Sequence, residues 1–197
     1  MVRAELGTGG GVPVPVTKVE ELVWFDRDGK RLETVGERGV YTYLALSPDK
    51  KRLAVTREDR NNLDIWLLDL GRGTASRFTS GLVPEMNPSW SPEGGRIAFL
   101  RRGDGVFIFW KASSGAGQEE LLGKFEGLAG PADWSRDGKS VLCVLTNPKT
   151  AVDLGLVPVS GDHKPVPPIQ AEFNQREGRF SPDGRWVAYI CDETGRY

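Results

Sequence analysis

Short apolar runs alternate with polar, turn-forming residues along the whole chain, and no long segment shows the apolar period of an amphipathic helix. The most apolar runs are residues 53–55, 97–100, 141–145 and 187–190. They lack alternation between apolar and polar positions, which predicts strands that are buried on both faces. The pattern therefore predicts an all-β protein built from short strands.

Each of these runs follows a Ser-Pro-Asp-Gly motif or a close variant of it. The serines of the four motifs are Ser47, Ser91, Ser135 and Ser181, so successive copies are 44, 44 and 46 residues apart. A near-constant period of this size is typical of repeat proteins such as solenoids and propellers. The repeat predicts a β-propeller in which each copy forms one blade.

The residues of the motif favour a tight turn between two strands. Serine and proline suit the first two positions of a type I turn, because proline presets φ and serine bonds the backbone ahead of it. Gly94, Gly138 and Gly184 can adopt the positive φ that closes such a hairpin. Lys50 replaces this glycine in the first copy, which predicts a looser turn there.

The spacing of strands and turns divides the chain into a lead-in and a propeller domain. Residues 1–20 contain a glycine run and a Pro-Val alternation, which predict a flexible segment. In residues 21–197 each full repeat has four short strands in an up-and-down meander, as in a propeller blade. The predicted blades are residues 40–80, 86–123, 130–168 and 176–197, and residues 21–36 form an outer half blade.

Composition narrows the classes of function. The chain has 26 basic and 27 acidic residues, so no basic nucleic-acid-binding surface is expected. No run is long and apolar enough to cross a bilayer, and no apolar core follows Arg3, so neither membrane insertion nor a secretory signal is expected. Cys143 and Cys191 fall in or after apolar strands of neighbouring repeats, which favours free thiols over a disulfide.

Catalytic chemistry has few candidates. His163, the one histidine, lies between predicted outer strands, so it is interpreted as a turn residue. A zinc site or a Ser-His-Asp triad would need partners that no spacing provides. The carboxylates at the motif position, Asp49, Glu93, Asp137 and Asp183, could suggest calcium, but hydrogen bonding within each turn explains them. The sequence thus predicts no catalytic, cofactor-binding or metal-binding residues.

The six tryptophans admit two interpretations. Trp90 and Trp134 directly precede the turn in two copies, and Phe180 takes that place in the last copy. Repetition at equivalent sites favours packing between blades with the indole N–H hydrogen-bonded, over an aromatic sugar-binding strip. The complete set is Trp24, Trp66, Trp90, Trp110, Trp134 and Trp186.

The Ser-Pro-Asp-Gly-Arg hairpin, followed in the first repeat by Asp-Ile-Trp-Leu-Leu-Asp and a glycine turn, resembles the TolB-like, WD-type β-propeller repeat. The resemblance covers residues 21–197 and is most specific at 179–189 and 89–99. The chain is also similar to the sensor-like propeller regions of bacterial serine/threonine kinases and transcriptional regulators. The resemblance implies six blades and a periplasmic or extracytoplasmic location.

Two arrangements fit three whole blades and two halves. In one, the outer strands of residues 22–35 join the inner strands of residues 177–191 and close a four-bladed ring. In the other, which we favour, the chain is part of a six-bladed ring and forms an open arc. The exposed blade edges of an arc predict self-association.

The predicted function is a non-catalytic binding or scaffold module for a protein or peptide, with no cofactor. This agrees with the resemblance and with the lack of catalytic groups, and the concave mouth of a propeller suits a partner. One alternative is a propeller enzyme, a hydrolase or lyase, acting in the central channel. Another is a propeller that gates a peptidase.

Overall fold

The computed structural model describes residues 19–127, 129–166 and 173–193, and throughout this part of the chain the regular structure is β-strand. The strands in chain order are β1 (Glu20–Phe25), β2 (Arg31–Gly39), β3 (Tyr41–Leu46), β4 (Arg52–Asp59), β5 (Asn62–Asp69), β6 (Thr74–Arg77), β7 (Glu85–Trp90), β8 (Arg96–Arg102), β9 (Val106–Ala112), β10 (Glu120–Phe125), β11 (Ala129–Trp134), β12 (Ser140–Asn147), β13 (Ala151–Pro158), β14 (Gln175–Phe180) and β15 (Val187–Cys191). No helix able to cross a membrane occurs within these ranges. The predicted flexible lead-in, residues 1–20, falls almost wholly outside them.

The strands form five antiparallel sheets in which neighbours in sequence are neighbours in space. Blade 1 is β3-β4-β5-β6, blade 2 is β7-β8-β9-β10, blade 3 is β11-β12-β13 and blade 4 is β14-β15. The hairpin β1-β2 is a separate sheet. The predicted fourth strand of blade 3 is reduced to one bridge, in which Leu156 and Val166 exchange two backbone hydrogen bonds of 2.8 Å.

The first strands of consecutive blades lie against one another, β3 against β7, β7 against β11, and β11 against β14. We call these four the inner strands, because the blades fan outward from them. The two ends of the fan stay apart. Leu22 and Val35 of the β1-β2 hairpin pack on Leu53 and Leu68 of blade 1, whereas β14 packs on blade 3. The fold is therefore a partial propeller, and the four-bladed closed ring is not formed.

The turns between the inner and second strands confirm the predicted chemistry, with one correction. In all four turns the amide N–H of the fourth residue donates to the carbonyl of the serine at 2.9 Å. The φ of Gly94, Gly138 and Gly184 is +73°, +70° and +71°. Lys50 adopts a φ of +61° and closes the same hydrogen bond, so the first turn is not looser; the lysine instead bears the cost of a left-handed conformation.

Burial follows the predicted apolar runs in the first three blades. Residues 53–55, 97–100 and 141–143 are almost completely excluded from solvent and form the cores between successive sheets. Val144 and Leu145, the rest of the third predicted run, are only partly buried. The last run, residues 187–190, is only partly buried, so the prediction of burial on both faces is wrong there. Its outward face, with Trp186 at 70% exposure and Ile190 at 45%, is not covered by another sheet of the described chain.

Tryptophan packing between blades is confirmed where the residue repeats. The indole N–H of Trp90 donates to the carbonyl of Ala45 in the preceding blade, at 2.9 Å. Trp134 donates in the same way to the carbonyl of Ser89, at 3.1 Å. Trp186 does not pack between blades. The predicted free thiols are also confirmed: Cys143 is buried, which raises the pKa of its thiol, and Cys191 is half-buried.

Candidate functional site

A register shift interrupts every inner strand within the six residues before its turn serine. The register with the second strand shifts between Tyr41 and Leu44, between Met86 and Ser89, between Pro131 and Asp133, and between Arg176 and Arg179. Bulges bend a strand and re-aim a side chain, and they are common next to functional sites. The residue four positions before each turn serine lies in or beside this bulge. These residues are Tyr43, Asn87, Pro131 and Glu177, and together with Thr42 we call them the inner rim.

Two rim residues have an unusual backbone. The φ of Asn87 and the φ of Glu177 are both +56°. Asparagine tolerates this left-handed region because its short side chain bonds locally, but a glutamate there costs conformational energy, about 1–2 kcal/mol. The bulge thus holds Glu177 in a conformation that glycine would adopt more readily.

Tyr43 and Glu177 occupy equivalent positions on the inner strands of the first and the fourth blade. Tyr43 is 44% exposed, and Glu177 is exposed as well. Partial burial raises the pKa of the Tyr43 hydroxyl, and the nearby carboxylate of Glu177 raises it further. Consecutive inner strands lie against one another from blade 1 to blade 4, so both residues belong to one set of neighbouring strands.

Two other rim residues carry hydrogen-bonding atoms that are buried and unused. Thr42 Oγ1 and Asn87 Oδ1 have no hydrogen-bond partner among the described residues. The amide nitrogen of Asn87 lies over Gly130 of the next inner strand, 3.0 Å from where a Cβ would be placed on that glycine. Buried polar atoms are normally satisfied, so these two atoms are exceptions to the rule within the described chain.

The start of the inner strand β7, by contrast, is occupied by ion pairs. The carboxylate of Glu85 is completely buried and accepts hydrogen bonds from Arg101 and, at 3.0 Å, from the backbone N–H of Gly81. Arg101 also pairs with Glu119. Partial burial alone would lower the pKa of Arg101, but its bonds to Glu119 and Glu85 outweigh that effect and raise it. These charges satisfy one another and so serve the fold.

The carboxylates of the turns are also engaged structurally in three of the four copies. Asp49, Asp137 and Asp183 each accept a hydrogen bond of 2.6 Å from the serine two positions earlier. This bond lowers the pKa of each aspartate, with a backbone N–H contributing next. Glu93 makes no equivalent bond to Ser91, because the Ser91 hydroxyl donates to the carbonyl oxygen of Arg96 at 3.2 Å instead. Hydrogen bonding within the turn therefore does not explain Glu93.

The remaining candidate from the sequence is placed away from the inner strands. His163 follows β13, and its Nδ1 lies 2.7 Å from the carbonyl oxygen of Pro158, so it is held within its own turn. Over residues 19–127, 129–166 and 173–193, no group of three or more histidine, cysteine or acidic residues is placed to hold a metal ion. The assignment of no catalytic or cofactor-binding residue stays a prediction.

Sequence reasoning did not single out the inner rim. A tyrosine, an asparagine, a proline and a glutamate occupy this repeat position, and the residues directly beside them also differ from copy to copy. No repeated feature of the sequence therefore marks the rim.

Successive antiparallel meanders that share an axis define a β-propeller. The comparison with known families specifies the kind: residues 25–197 match the TolB beta propeller domain. The chain belongs to the TolB β-propeller family.

Relatives within this family differ in function. The chain is 25% identical over 192 residues to the uncharacterized peptidase YuxL of Bacillus subtilis, covering 75% of this chain and 29% of that protein. It is 29% identical over 94 residues to the Tol-Pal system protein TolB of Alcanivorax borkumensis, covering 46% of this chain and 21% of that protein. The chain therefore spans less than a third of the curated relatives it matches.

The fold is also that of a solved TolB. The crystal structure of TolB from Acinetobacter baumannii aligns with a TM-score of 0.73 at 22% identity, over 86% of this chain and 42% of that one. At this identity the likeness concerns the fold alone.

Proposed function

We propose that the chain is a non-catalytic binding module that holds a protein or peptide partner at the inner rim. The observation that supports this most directly is the contrast between two regions. Glu85 at the start of β7 and three turn aspartates are used in structural bonds, whereas the exposed Glu177 forms no salt bridge with a described residue. An exposed carboxylate and an exposed aromatic ring at equivalent positions of the inner strands are the ingredients of a recognition site.

Selection from a random peptide library against the 197-residue chain tests the proposal. We expect peptides that bind the wild-type chain and lose binding to Tyr43→Ala/Glu177→Ala. The matched control is Leu121→Ala/Glu120→Ala, which removes one exposed apolar and one acidic side chain from the outer strand β10. Peptides that bind both variants equally well would contradict the placement of the site.

The proposal of binding without turnover needs its own test. Generic ester, peptide and lactone substrates should show no hydrolysis above background, with or without calcium. Robust turnover that survives further purification would sink the non-catalytic proposal. It would favour the alternative of a propeller enzyme acting in the central channel.

A second candidate function is a propeller that gates a peptidase. The observation that favours it is the similarity to YuxL, which is described as a peptidase and is more than three times as long as the matching region. In that case the chain would select no free peptides and would instead change the substrate-size preference of a peptidase joined to it. Full-length and propeller-deleted forms of such a peptidase, compared on short and long substrates, would reveal this effect.

Self-association is a further binding mode that we propose for the isolated chain. The outward face of β15 exposes Trp186 and Ile190, and the equivalent face of the earlier blades is buried against the next sheet. The mass in solution should therefore rise with concentration for the wild-type chain. It should rise less for Trp186→Ser/Ile190→Ser, and an unchanged mass in both would refute the role of this face.

A further inference from the structure

The two outermost sheets of the fan are complementary halves of a blade. The hairpins β1-β2 and β14-β15 have two strands each, where blades 1 and 2 have four. Strands β14 and β15 flank the turn at Ser181, so they correspond to β3 and β4 of blade 1. The hairpin β1-β2 corresponds to β5-β6: Asp26 Oδ1, directly after β1, accepts the N–H two residues on at 2.9 Å, as Asp69 Oδ1 does after β5 at 3.0 Å. Placed side by side, the two hairpins reproduce the strand order of a whole blade.

Each of these hairpins has one strand edge that no described strand covers. Strand β15 pairs only with β14, and β1 pairs only with β2, whereas the corresponding β4 and β5 pair with each other along their whole length. An uncovered edge is a template for a strand from another chain, and a two-stranded hairpin is only marginally stable by itself. Because the ends of the fan stay apart within one chain, the two halves can meet only between copies.

The exposed face of β15 corresponds to a face that is buried inside the fan. Trp186 is the fifth residue after its turn serine, as Arg52 is in blade 1, and the guanidinium carbon of Arg52 lies 4.8 Å from the centre of the Trp90 ring in blade 2. Four positions later, Ile190 corresponds to Thr56, which is completely buried and accepts a backbone N–H from β7 at 3.2 Å. This face therefore meets the inner strand of the next blade wherever one follows.

The surface that matches this face lies on the other side of blade 1. Leu46 directly precedes its turn serine, as Trp90 and Trp134 do. The tryptophans are 7% and 1% exposed because the preceding blade covers them, whereas Leu46 is 37% exposed. Leu46 lies opposite Leu53, which packs on the β1-β2 hairpin, so both point away from blade 2. Leu46 is thus open to an inner strand from a preceding blade.

We propose that the β14-β15 hairpin of one copy pairs edge to edge with the β1-β2 hairpin of a second copy, which completes a blade in the order β14-β15-β1-β2. Trp186 and Ile190 of the first copy then pack on Leu46 and the inner strand β3 of the second. This inference rests on the self-association proposed above and deepens it, because it specifies the surface on the second copy. The contact is head-to-tail, so each copy can bind two neighbours.

Variants that are blocked at one end test the inference. Leu46→Glu places a charge on the receiving face, and Trp186→Ser/Ile190→Ser removes the apolar face that packs on it. At concentrations where the wild-type chain associates, we expect either variant alone to stay a monomer by sedimentation velocity. An equimolar mixture should form a species of twice the single-copy mass, because each variant supplies the end that the other lacks. The control Leu121→Glu, at a leucine of β10 that is 48% exposed, should associate like the wild type.

Cysteine cross-linking keeps the test decisive if Leu46→Glu does not fold. Ala188 lies on the exposed face of β15 and corresponds to Ala54, which shares a core cluster with Trp90. In a Cys191→Ser background, where Cys143 is fully buried, copies with Leu46→Cys are mixed with copies with Ala188→Cys and treated with a short bismaleimide. Mass spectrometry should find positions 46 and 188 of different copies joined.

The outcomes separate this inference from the self-association on which it rests. Monomeric single variants that regain mass on mixing, or cross-links between positions 46 and 188, support the inference. A folded Leu46→Glu variant that associates like the wild type, or cross-links between two positions 188 alone, overturns it but keeps self-association through the face of β15. A wild-type mass that does not change with concentration, without cross-links between copies, refutes both.

Discussion

The buried ion pair of blade 2 provides the sharpest test of how the blades are held together. Arg101 and Arg57 occupy the same repeat position, ten residues after the turn serine, and each stacks on an aromatic ring of the next strand. They differ in the burial of their partner. The side chain of Glu85, which pairs with Arg101, is 0% exposed, whereas the side chain of Glu37, which pairs with Arg57, is 79% exposed.

Replacing each arginine by methionine keeps the side-chain stem and removes the charge. Arg101→Met leaves a carboxylate buried without its counter-charge, which costs about 3–5 kcal/mol. Arg57→Met breaks a solvent-exposed pair worth at most about 1 kcal/mol. The lost ring contact is worth about 0.5–1 kcal/mol in both and cancels in the comparison. The free energy of unfolding should therefore fall by about 2–5 kcal/mol more for Arg101→Met than for Arg57→Met.

Urea denaturation followed by tryptophan fluorescence measures this difference, provided that the slope with denaturant is unchanged. Adding Glu85→Gln to Arg101→Met should restore part of the loss, because a neutral amide can still accept the Gly81 N–H bond. Equal losses for the two arginine variants, or a double variant less stable than Arg101→Met, would refute the reasoning.

Three further predictions concern the repeat itself. Trp134→Phe should lower the free energy of unfolding by about 1–3 kcal/mol, because the buried Ser89 carbonyl loses its donor. Trp186→Phe, at an exposed site, should change the free energy of unfolding by less than about 0.5 kcal/mol. Urea denaturation distinguishes the two variants, and equal effects would contradict the packing argument. Lys50→Gly should raise stability by about 1 kcal/mol because it relieves a φ of +61°, whereas Lys50→Ala should not; no gain from glycine would argue against strain in that turn. Ser135→Ala should raise the pKa of Asp137 towards its ordinary 3.8, and the control Ser91→Ala should leave the pKa of Asp137 unchanged, as NMR titration can check. Because the pKa of Asp137 is lowered in the folded state, the stability that this bond contributes is present above pH 3.8. It is lost as the pH falls through the folded-state pKa.

The features that the sequence predicted well are those that repeat. The serines of the turns and the tryptophans before them recur because each blade must close the same hairpin and bury the same surface. Spacing alone was therefore enough to place Trp90 and Trp134 between blades. Trp186 has a different environment, since it comes after the turn rather than before it. Its exposure depends on whether another sheet covers β15, and the local sequence does not encode that.

The rim and the first turn were harder to predict for different physical reasons. A bulge is set by the pairing of two strands, so the left-handed backbone of Glu177 cannot be seen in a glutamate that lies between an arginine and a glycine. At Lys50 the residue type suggested a loose turn, but the strands on either side impose the closed geometry. Tertiary pairing overrides local preference at both positions.

The central claim is that the inner rim contacts the partner, and photo-crosslinking tests it most directly. Peptides selected by binding, each carrying a photoreactive residue, would be cross-linked to the wild-type chain and mapped by mass spectrometry. The account predicts cross-links to Tyr43, Asn87 and Glu177 and their immediate neighbours. Cross-links confined to the outer strands β6 and β10, or to the turns at Ser47, Ser91, Ser135 and Ser181, would contradict it.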